Sequence, residues 1–460
     1  MILGYKSIYE RYRNEISIGN LKAGDRVPSI RVLASELNVA RKTVASAYEI
    51  LVGEGYLVSQ GAKGTYVNPE LNIEVVLNSN TNGAKSEFAQ KSNAQPKHLR
   101  LGIPALESFP YKKWLLTLKK AARNMDENDL IMPPFMGYQP LRENIASYLN
   151  ISRGLNCSPE QIFITSGYRA SLRLIFAVLS TPNDTVLFEN PGYFIAAQFL
   201  DLIIPKLHYI PIDDKGLNTD YLLKHHSDAK FAIVTPTHQS PTTVSMSLPR
   251  KQRLLEWACN NKSWIIEDDY DGEFHFKRKV ISALKSIDAH DRVIYTGSFS
   301  KTIMPALRAG YIVMPKETIK LFMQIGNIYE SGMPLFTQKA LSLFMSEGHF
   351  YRHIKKMRTL YQQRRVIMEA ALKQVLGDIL NIELTDGGMH IIAYLKRGSK
   401  DQELAQLWQQ HGLKVSPLSH WYKGEPDKYG LIIGYTNVLS LEQAINQLAK
   451  VANESRIIAQ

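Results

Sequence analysis

The sequence predicts an α/β chain in two parts: a small N-terminal helical module, then a large domain built on a doubly wound, mostly parallel sheet and closed by a smaller C-terminal α+β lobe. Three observations carry this. From about residue 98 the short β-like runs QIFIT, DTVLFE, FAIVT, SWIIED and RVIYT alternate with helical patterns such as RKQRLLEWACNN, the alternation that builds parallel sheets covered on both faces. Residues 1–68 have a different, compact helical rhythm, and the segment 69–97, rich in Asn, Ser, Lys and Gln with little periodicity, reads as a linker. From roughly residue 340 a long helix precedes ELTDGGMHIIAYL and YGLIIGY, which gives the smaller lobe. The expected organisation is therefore 1–68, 69–97 and 98–460.

A chain of 460 residues with 45% apolar content has enough material for two or three domains and a large core. No apolar run approaches the length of a membrane span, and the N-terminus is charged within six residues, so a cytoplasmic protein is expected rather than a secreted or membrane one. Cys157 and Cys259 are single and far apart, which suits reduced thiols and gives no cysteine-based metal site. The net charge of +12 favours a polyanionic partner, although charge alone argues only for nonspecific attraction.

In the N-terminal module a helical pattern at 7–18 leads into the turn GNLKAGDRV. Pro28 and Ser29 then open a helix whose Ile30, Leu33, Ala34 and Leu37 fall on one face. Asn38 and Val39 make a tight turn, and the next helix buries Val44, Ala47 and Leu51 while leaving Arg41, Lys42 and Thr43 at its exposed start. In a helix-turn-helix these first residues of the second helix reach base edges in the major groove. Arginine suits guanine through two parallel hydrogen bonds; threonine suits a phosphate or a thymine methyl. YLVSQGAKGTYV reads as two short strands with a glycine-rich tip, a wing that carries Lys63 toward a DNA backbone. The module holds nine Lys/Arg against six Asp/Glu, a modest basic excess.

In the large domain the stretch GSFSKTIMPALR follows the strand-like RVIYT, so Lys301 is expected just past a strand's C-terminal end, where open α/β sheets bind ligands. A solvated loop lysine is the commonplace alternative, and a Ser-x-x-Lys nucleophile lacks its Ser-Asp-Asn and Lys-Thr-Gly partners in this chain. Three further stretches converge on the lysine. FITSGYRAS ends a strand and starts a helix, so the amides of Ser166, Gly167 and Tyr168 form an anion site, to which Ser298, Ser300 and Arg308 add donors. IIEDDYDGEF places carboxylates at another strand end, where one can pair with a protonated ring nitrogen, and ENPGYF places Tyr193 where a ring can stack on a planar cofactor. A lysine for an imine, a carboxylate for a pyridinium, a phosphate cup and a stacking ring together describe a site for pyridoxal 5′-phosphate. The acidic run DDYDGE lacks calcium-loop spacing, and His238 has no His or Cys partner at metal spacing, so no metal is expected; His238 reads as a polar loop or core residue and Trp257 as core.

Over residues 9–67 the chain resembles, without gaps, the winged helix-turn-helix of GntR-type bacterial transcription regulators. That resemblance implies contacts to double-stranded operator DNA by Arg31, Arg41, Thr43 and the wing residues Lys63, Gly64 and Thr65, with Lys42 among the side chains that set specificity. From Tyr138 to about Tyr435 the landmarks GYQPLRENIASYL, ITSG, ENPGY, TPTHQSP, IEDDYDGEF, GSFSKTIMPALRAGY and GGMH resemble fold-type I aminotransferases. Joined, the two halves resemble the MocR-type subfamily, in which an aminotransferase-like domain serves as a sensor rather than an enzyme. The resemblance makes Lys301 the Schiff-base lysine and Asp268 the partner of the pyridine nitrogen. It places Tyr270 on the ring's O3′ and Tyr193 over the ring, with Ser166, Gly167, Ser298, Ser300 and Arg308 around the phosphate. Asp269 is the alternative to Asp268, since neighbours on a strand point to opposite faces. A homodimer is implied, because fold-type I sites lie between two subunits.

Departures from the family pattern accompany the matches. Ala40 stands where a capping serine is common, at a cost of about 1 kcal/mol of local stability. His420, the effector-site candidate, stands where the family often has a carboxylate-binding arginine, and Ile195 stands where some relatives have another. Neutral imidazole cannot make guanidinium's bidentate pair. Thr243 replaces a usual glycine, and Met132 a tyrosine that reaches the partner subunit's phosphate site. The pattern retains cofactor capture and weakens amino-acid binding, which leads to the expectation of a regulator whose small-molecule effector is pyridoxal phosphate itself and whose targets serve vitamin B6 metabolism. An amino acid or amine sensor and a working aminotransferase are the alternatives.

Overall fold

A computed structural model describes residues 4–71, 98–276, 282–329, 332–384 and 386–459. Contacts divide the chain into two units, Met1–Asn93 and Ala94–Gln460. All but the first three residues of the expected linker, 69–97, lie outside the described residues.

The first unit carries helices α1 (Tyr5–Ser17), α2 (Ile30–Glu36) and α3 (Arg41–Gly53) and strands β1 (Arg26–Val27), β2 (Leu57–Ser59) and β3 (Thr65–Val67), ordered β1-β3-β2 in an antiparallel sheet. Ile8, Tyr12 and Ile16 of α1 pack against Leu33, Val44, Ala47 and Leu51, and the Tyr12 and Tyr48 rings meet edge-to-face at 5.5 Å. The Tyr48 hydroxyl donates to the Pro28 carbonyl at 2.9 Å, which fixes the entry into α2. Ser29 caps that helix by accepting from the Val32 amide at 3.3 Å. One expected core position differs: Ile30 is 37% exposed, because as the first residue of α2 it lies ahead of the turn that packs on α3.

The second unit is organised by strands β4 (Ile162–Thr165), β5 (Val186–Asn190), β6 (Leu207–Asp213), β7 (Gly216–Leu217), β8 (Phe231–Val234), β9 (Trp264–Asp269), β10 (Val293–Ser298) and β11 (Gly310–Val313). They form one sheet in the order β4-β11-β10-β9-β8-β5-β6-β7, parallel from β10 through β6 and antiparallel at both ends. Alternation along the strands feeds two cores. Phe188, Phe231, Ile233, Ile266 and Ile294 point to one face; Leu187, Ala232, Val234, Ile265 and Val293 point to the other, where Trp257 is buried. Burial on both faces is why these strands read as continuous apolar runs. Strand β6 escapes such a reading, because it contains Pro211 and polar residues.

The smaller lobe is a four-stranded antiparallel sheet, β12 (Leu380–Glu383), β13 (His390–Leu395), β14 (Ser416–Pro417) and β15 (Gly430–Gly434), ordered β12-β13-β15-β14 and covered by helices Asp401–Gln410 and Leu441–Ile458. The expected single long helix from residue 340 is two, Leu335–Ser346 and His349–Leu376, broken at Gly348, whose φ of 72° ends the first.

Candidate functional site

A cavity of about 830 Å³ opens at the C-terminal ends of β9 and β10 and beside the smaller lobe. Its wall brings together Tyr168, Tyr193, Asp268, Tyr270, Ser298, Ser300, Lys301, Arg308 and His420. Eight of these residues come from four stretches that the large sheet joins, after β4, after β5, at the end of β9 and from the end of β10 to β11, so they gather at its carboxyl edge; His420 enters from the smaller lobe, just past β14. Lys301 stands three residues past β10, and its Nζ donates to the Gly102 carbonyl at 2.9 Å. Burial holds the Lys301 amine below the ordinary lysine range, while the charges of Asp271 and Asp268 act in the opposite direction.

The adjacent carboxylates of β9 separate cleanly. Asp268 faces the cavity and accepts a hydrogen bond from Tyr168; burial, helped by the neighbouring carboxylates Asp269, Glu189 and Asp271, pushes its carboxyl up to about 8 against that bond. Asp269 points to the opposite side, where Arg153 meets it at 2.7 Å and the Tyr295 hydroxyl donates to it at 2.6 Å. The buried acid shares this wall with a buried hydroxyl that has no hydrogen-bond partner, Tyr270 Oη beside Ser240. Both suit a ring that presents a protonated nitrogen and a phenolic oxygen.

Anion donors lie at the other end. The helix Tyr168–Leu179 starts with Gly167 as its N-cap at φ 106°, and a Cβ there would stand 3.3 Å from the Arg308 guanidinium. Ser166 and Gly167 stand outside the cavity wall proper and reach the site through this helix N-terminus, the kind of place where backbone amides hold phosphate. The Ser300 amide donates to Ser298 Oγ at 3.1 Å, which shapes the turn that carries Lys301. The Tyr193 ring lies tilted by 39° against Trp421 of the smaller lobe, centroids 5.9 Å apart, and the Gly192 amide donates to the Trp421 carbonyl at 3.1 Å.

The departures are placed too. His420 and Ile195 both line the cavity, so no guanidinium enters it at either position. Thr243 adopts φ 59° with its hydroxyl on the Thr242 carbonyl, a backbone conformation that accounts for the glycine usual there. Met132 is 73% exposed. His238 is buried and bonded through Nδ1 to Asp271 at 2.9 Å. Sequence reasoning missed Gly102 and Arg100: they enter the wall through a chain segment whose His98 pairs with Leu413, a contact more than three hundred residues long in sequence that leaves no local signal. Among the described residues no group of His, Cys, Asp or Glu is arranged to hold a metal ion, and no helix is long and apolar enough to cross a membrane.

In the first unit Arg31, Arg41 and Lys42 are exposed, and Thr43 is half-buried on the first turn of α3. The wing tip closes through Gln60 N to Gly64 O at 2.8 Å, with Gly64 at φ 115° and Lys63 exposed beside it. Arg26, unremarked in the sequence, lies against Gly64 and over the Tyr66 ring at 6.0 Å; Thr65 starts β3.

The fold and cavity define an aminotransferase-type domain preceded by a winged helix-turn-helix. Residues 97–427 match the aminotransferase class I and II model, a fold family that generally binds pyridoxal phosphate, and residues 4–67 match the bacterial regulatory proteins of the gntR family. The chain is 33% identical over 459 residues to the probable rhizopine catabolism regulatory protein MocR of Rhizobium meliloti, covering 96% of this chain and 92% of that one. It is 30% identical to the pyridoxine biosynthesis transcriptional regulator PdxR of Corynebacterium glutamicum, covering 93% and 90%. Among solved structures, kynurenine aminotransferase of Pyrococcus horikoshii superimposes with a TM-score of 0.70 at 26% identity, over 78% of this chain and 90% of that one. This chain belongs to the MocR-type subfamily of GntR transcription regulators.

Proposed function

We propose that this regulator holds pyridoxal 5′-phosphate in the Lys301 cavity, binds a double-stranded operator through α3 and the wing, and is switched by cofactor occupancy, so that it adjusts vitamin B6 supply. The observation that carries the reading is the shared wall, where buried Asp268, Tyr270 whose hydroxyl has no hydrogen-bond partner, Arg308 and Lys301 come together, with the Gly167 helix N-cap packed against Arg308 behind it. Bound there, the cofactor supplies an aldehyde that captures amines and a ring that draws electrons. Asp268 would keep the ring nitrogen protonated, Tyr270 would orient the phenolic oxygen, Tyr193 would cover the ring, and Ser166, Gly167, Ser298, Ser300 and Arg308 would anchor the phosphate. The similarity to a pyridoxine biosynthesis regulator supports the choice of effector. So does the lack of a guanidinium at 195 and 420: a ligand shifts an equilibrium only through differential affinity, and a site that grips the cofactor is switched by it.

A homodimer is part of the proposal. Leu130, Ile131 and Met132 are 74%, 80% and 73% exposed, and Tyr111, Leu115 and Leu116 on one helix are exposed as well, apolar surface that a second copy could cover. The large domain then serves as a sensor, with no net turnover.

The test uses an operator selected from random duplexes, with binding measured for cofactor-free protein, loaded protein, and loaded protein plus a panel of amino acids and amines. Loading alone should change operator affinity several-fold, and borohydride should fix the cofactor on Lys301 but not on a Lys301→Ala variant. If free and loaded forms bind alike while one amino compound shifts affinity, an amino-compound sensor replaces this reading. Steady transamination of any panel member would restore the enzyme alternative.

A further inference from the structure

The cavity is far more basic than a cofactor needs. Its wall carries Arg100, Arg169, Lys301, Arg308 and Lys414 against one carboxylate, Asp268. A phosphate on Arg308, an amine captured at Lys301 and a protonated ring on Asp268 leave Arg100, Arg169 and Lys414 over. Among the described residues these three side chains make no hydrogen bond and no ion pair. Arg169 and Lys414 are exposed and their charges are screened, whereas Arg100 is half-buried, so an anion paired with it inside the cavity would be screened less than one at the mouth.

Its position is defined by backbone. His98 pairs in parallel with Leu413, and the Lys414 amide donates to the His98 carbonyl at 3.0 Å, so the segments around 98–102 and 413–416 run side by side. Arg100 stands two residues before Gly102, whose carbonyl holds Lys301; at extended spacing that is about 7 Å along the wall. On the same side, Gln402, Gln406 and Gln409 recur at helical spacing on one face of Asp401–Gln410. Gln402 and Gln409 are tied to Ser419 Oγ and the Val415 carbonyl at 3.3 Å each, and Gln406 carries no such bond.

We propose that the outer chamber of this cavity binds a second ligand, a small organic acid, with its carboxylate on Arg100, and that Arg100 rather than positions 195 or 420 sets this specificity. The planar fork of the guanidinium matches a carboxylate through two parallel hydrogen bonds, Arg169 and Lys414 add attraction at the mouth, and Gln406 offers an amide to polar substituents. The inference goes beyond cofactor sensing, because Arg100 needs no cofactor to present its charge.

Calorimetric titration of the full-length chain tests it, in both cofactor-free and cofactor-loaded forms, with glutarate as the probe because it has no amine to react at Lys301. Glutarate should bind wild type, glutaramide should not, and Arg100→Gln should weaken glutarate at least about tenfold while Arg100→Lys retains part of the affinity. His420→Ala should leave glutarate binding within about twofold, which separates Arg100 from the position the family pattern would suggest. Equal affinity in wild type and Arg100→Gln overturns the proposal, as does absence of glutarate binding by both wild-type forms. Failure of cofactor sensing shows separately, as a loaded form that cannot be prepared or that leaves operator binding unchanged.

Discussion

The Lys301 ammonium donates to the Gly102 carbonyl at 2.9 Å, and Gly102 sits at φ 67° with its missing Cβ only 2.1 Å from that same nitrogen. The left-handed backbone is what requires glycine here, and a Cβ would also push aside the flexible end of the Lys301 side chain. Attack on an aldehyde needs a neutral amine that has left this carbonyl, and the burial that holds Lys301 below the ordinary lysine range favours the neutral form. Gly102→Ala should strain the segment by about 1 kcal/mol or more and displace the amine, lowering cofactor retention roughly tenfold. The readout is the yellow colour that survives gel filtration, with borohydride-fixed label at Lys301 counted by mass. Undiminished labelling would mean that the lysine adopts another position when it reacts.

Asp268 makes the cofactor-free protein pH-sensitive in a direction that can be worked out. Its folded value, pushed up to about 8 by burial, lies above the usual 3.8, so the folded state holds a proton that the unfolded state releases. Between about pH 4 and 8 stability from this group falls as pH rises, and the penalty is complete above 8. Asp268→Asn should thus match wild type near the acid end and melt higher than wild type at pH 8 and above. The same variant removes the anion that a ring nitrogen would meet, and should weaken cofactor binding by about 2 kcal/mol, roughly 30-fold. Thermal melts across the pH range and a cofactor titration check both halves. A variant that melts like wild type at every pH would show that water already solvates the acid.

Much of this was legible in the sequence, for a physical reason that differs between its parts. The strand ends and the short polar stretches after them carry local signals, since a parallel strand buried on both faces is a nearly unbroken apolar run and the residues after it project to the carboxyl edge. Asp268 and Asp269 were separable in principle by strand alternation, but which of the two faces the cavity depends on Arg153, a helix end more than a hundred residues away that takes Asp269. Gly102 and Arg100 were invisible because only the pairing of His98 with Leu413 brings them to the wall. The break at Gly348 was hidden by apolar periodicity that resumes after it.

The N-terminal module offers a stability test that touches no ligand. Ala40 occupies the N-cap of α3 without a side-chain cap, while the Thr43 amide bonds only the Ala40 carbonyl, at 2.9 Å. Ala40→Ser restores an acceptor for the first-turn amides and should raise the stability of α3 by about 1 kcal/mol. Hydrogen exchange of the α3 amides in the full chain measures it, with slower exchange expected across the helix. Unchanged protection would place those amides in bonds to solvent as good as a cap.

Operator binding separates the two kinds of contact that the first unit presents. Arg41 is exposed on the first turn of α3, the part of a recognition helix that meets base edges, and Lys63 is exposed at the wing tip beside Gly64, where the proposed contact is to a phosphate. Arg41→Ala should therefore remove about 1 to 3 kcal/mol of specific binding and relax preference at one base pair, because a bidentate contact to guanine carries sequence information. Lys63→Ala should weaken all duplexes alike and lower the slope of log affinity against log salt by about one, since it neutralises one phosphate and releases one counterion. Affinities for a selected operator and a scrambled duplex, each at several salt concentrations, distinguish the outcomes. If Arg41→Ala keeps the operator-to-scrambled ratio of wild type, α3 does not read bases through this residue, and Lys42, its exposed neighbour on the same turn, becomes the side chain to replace.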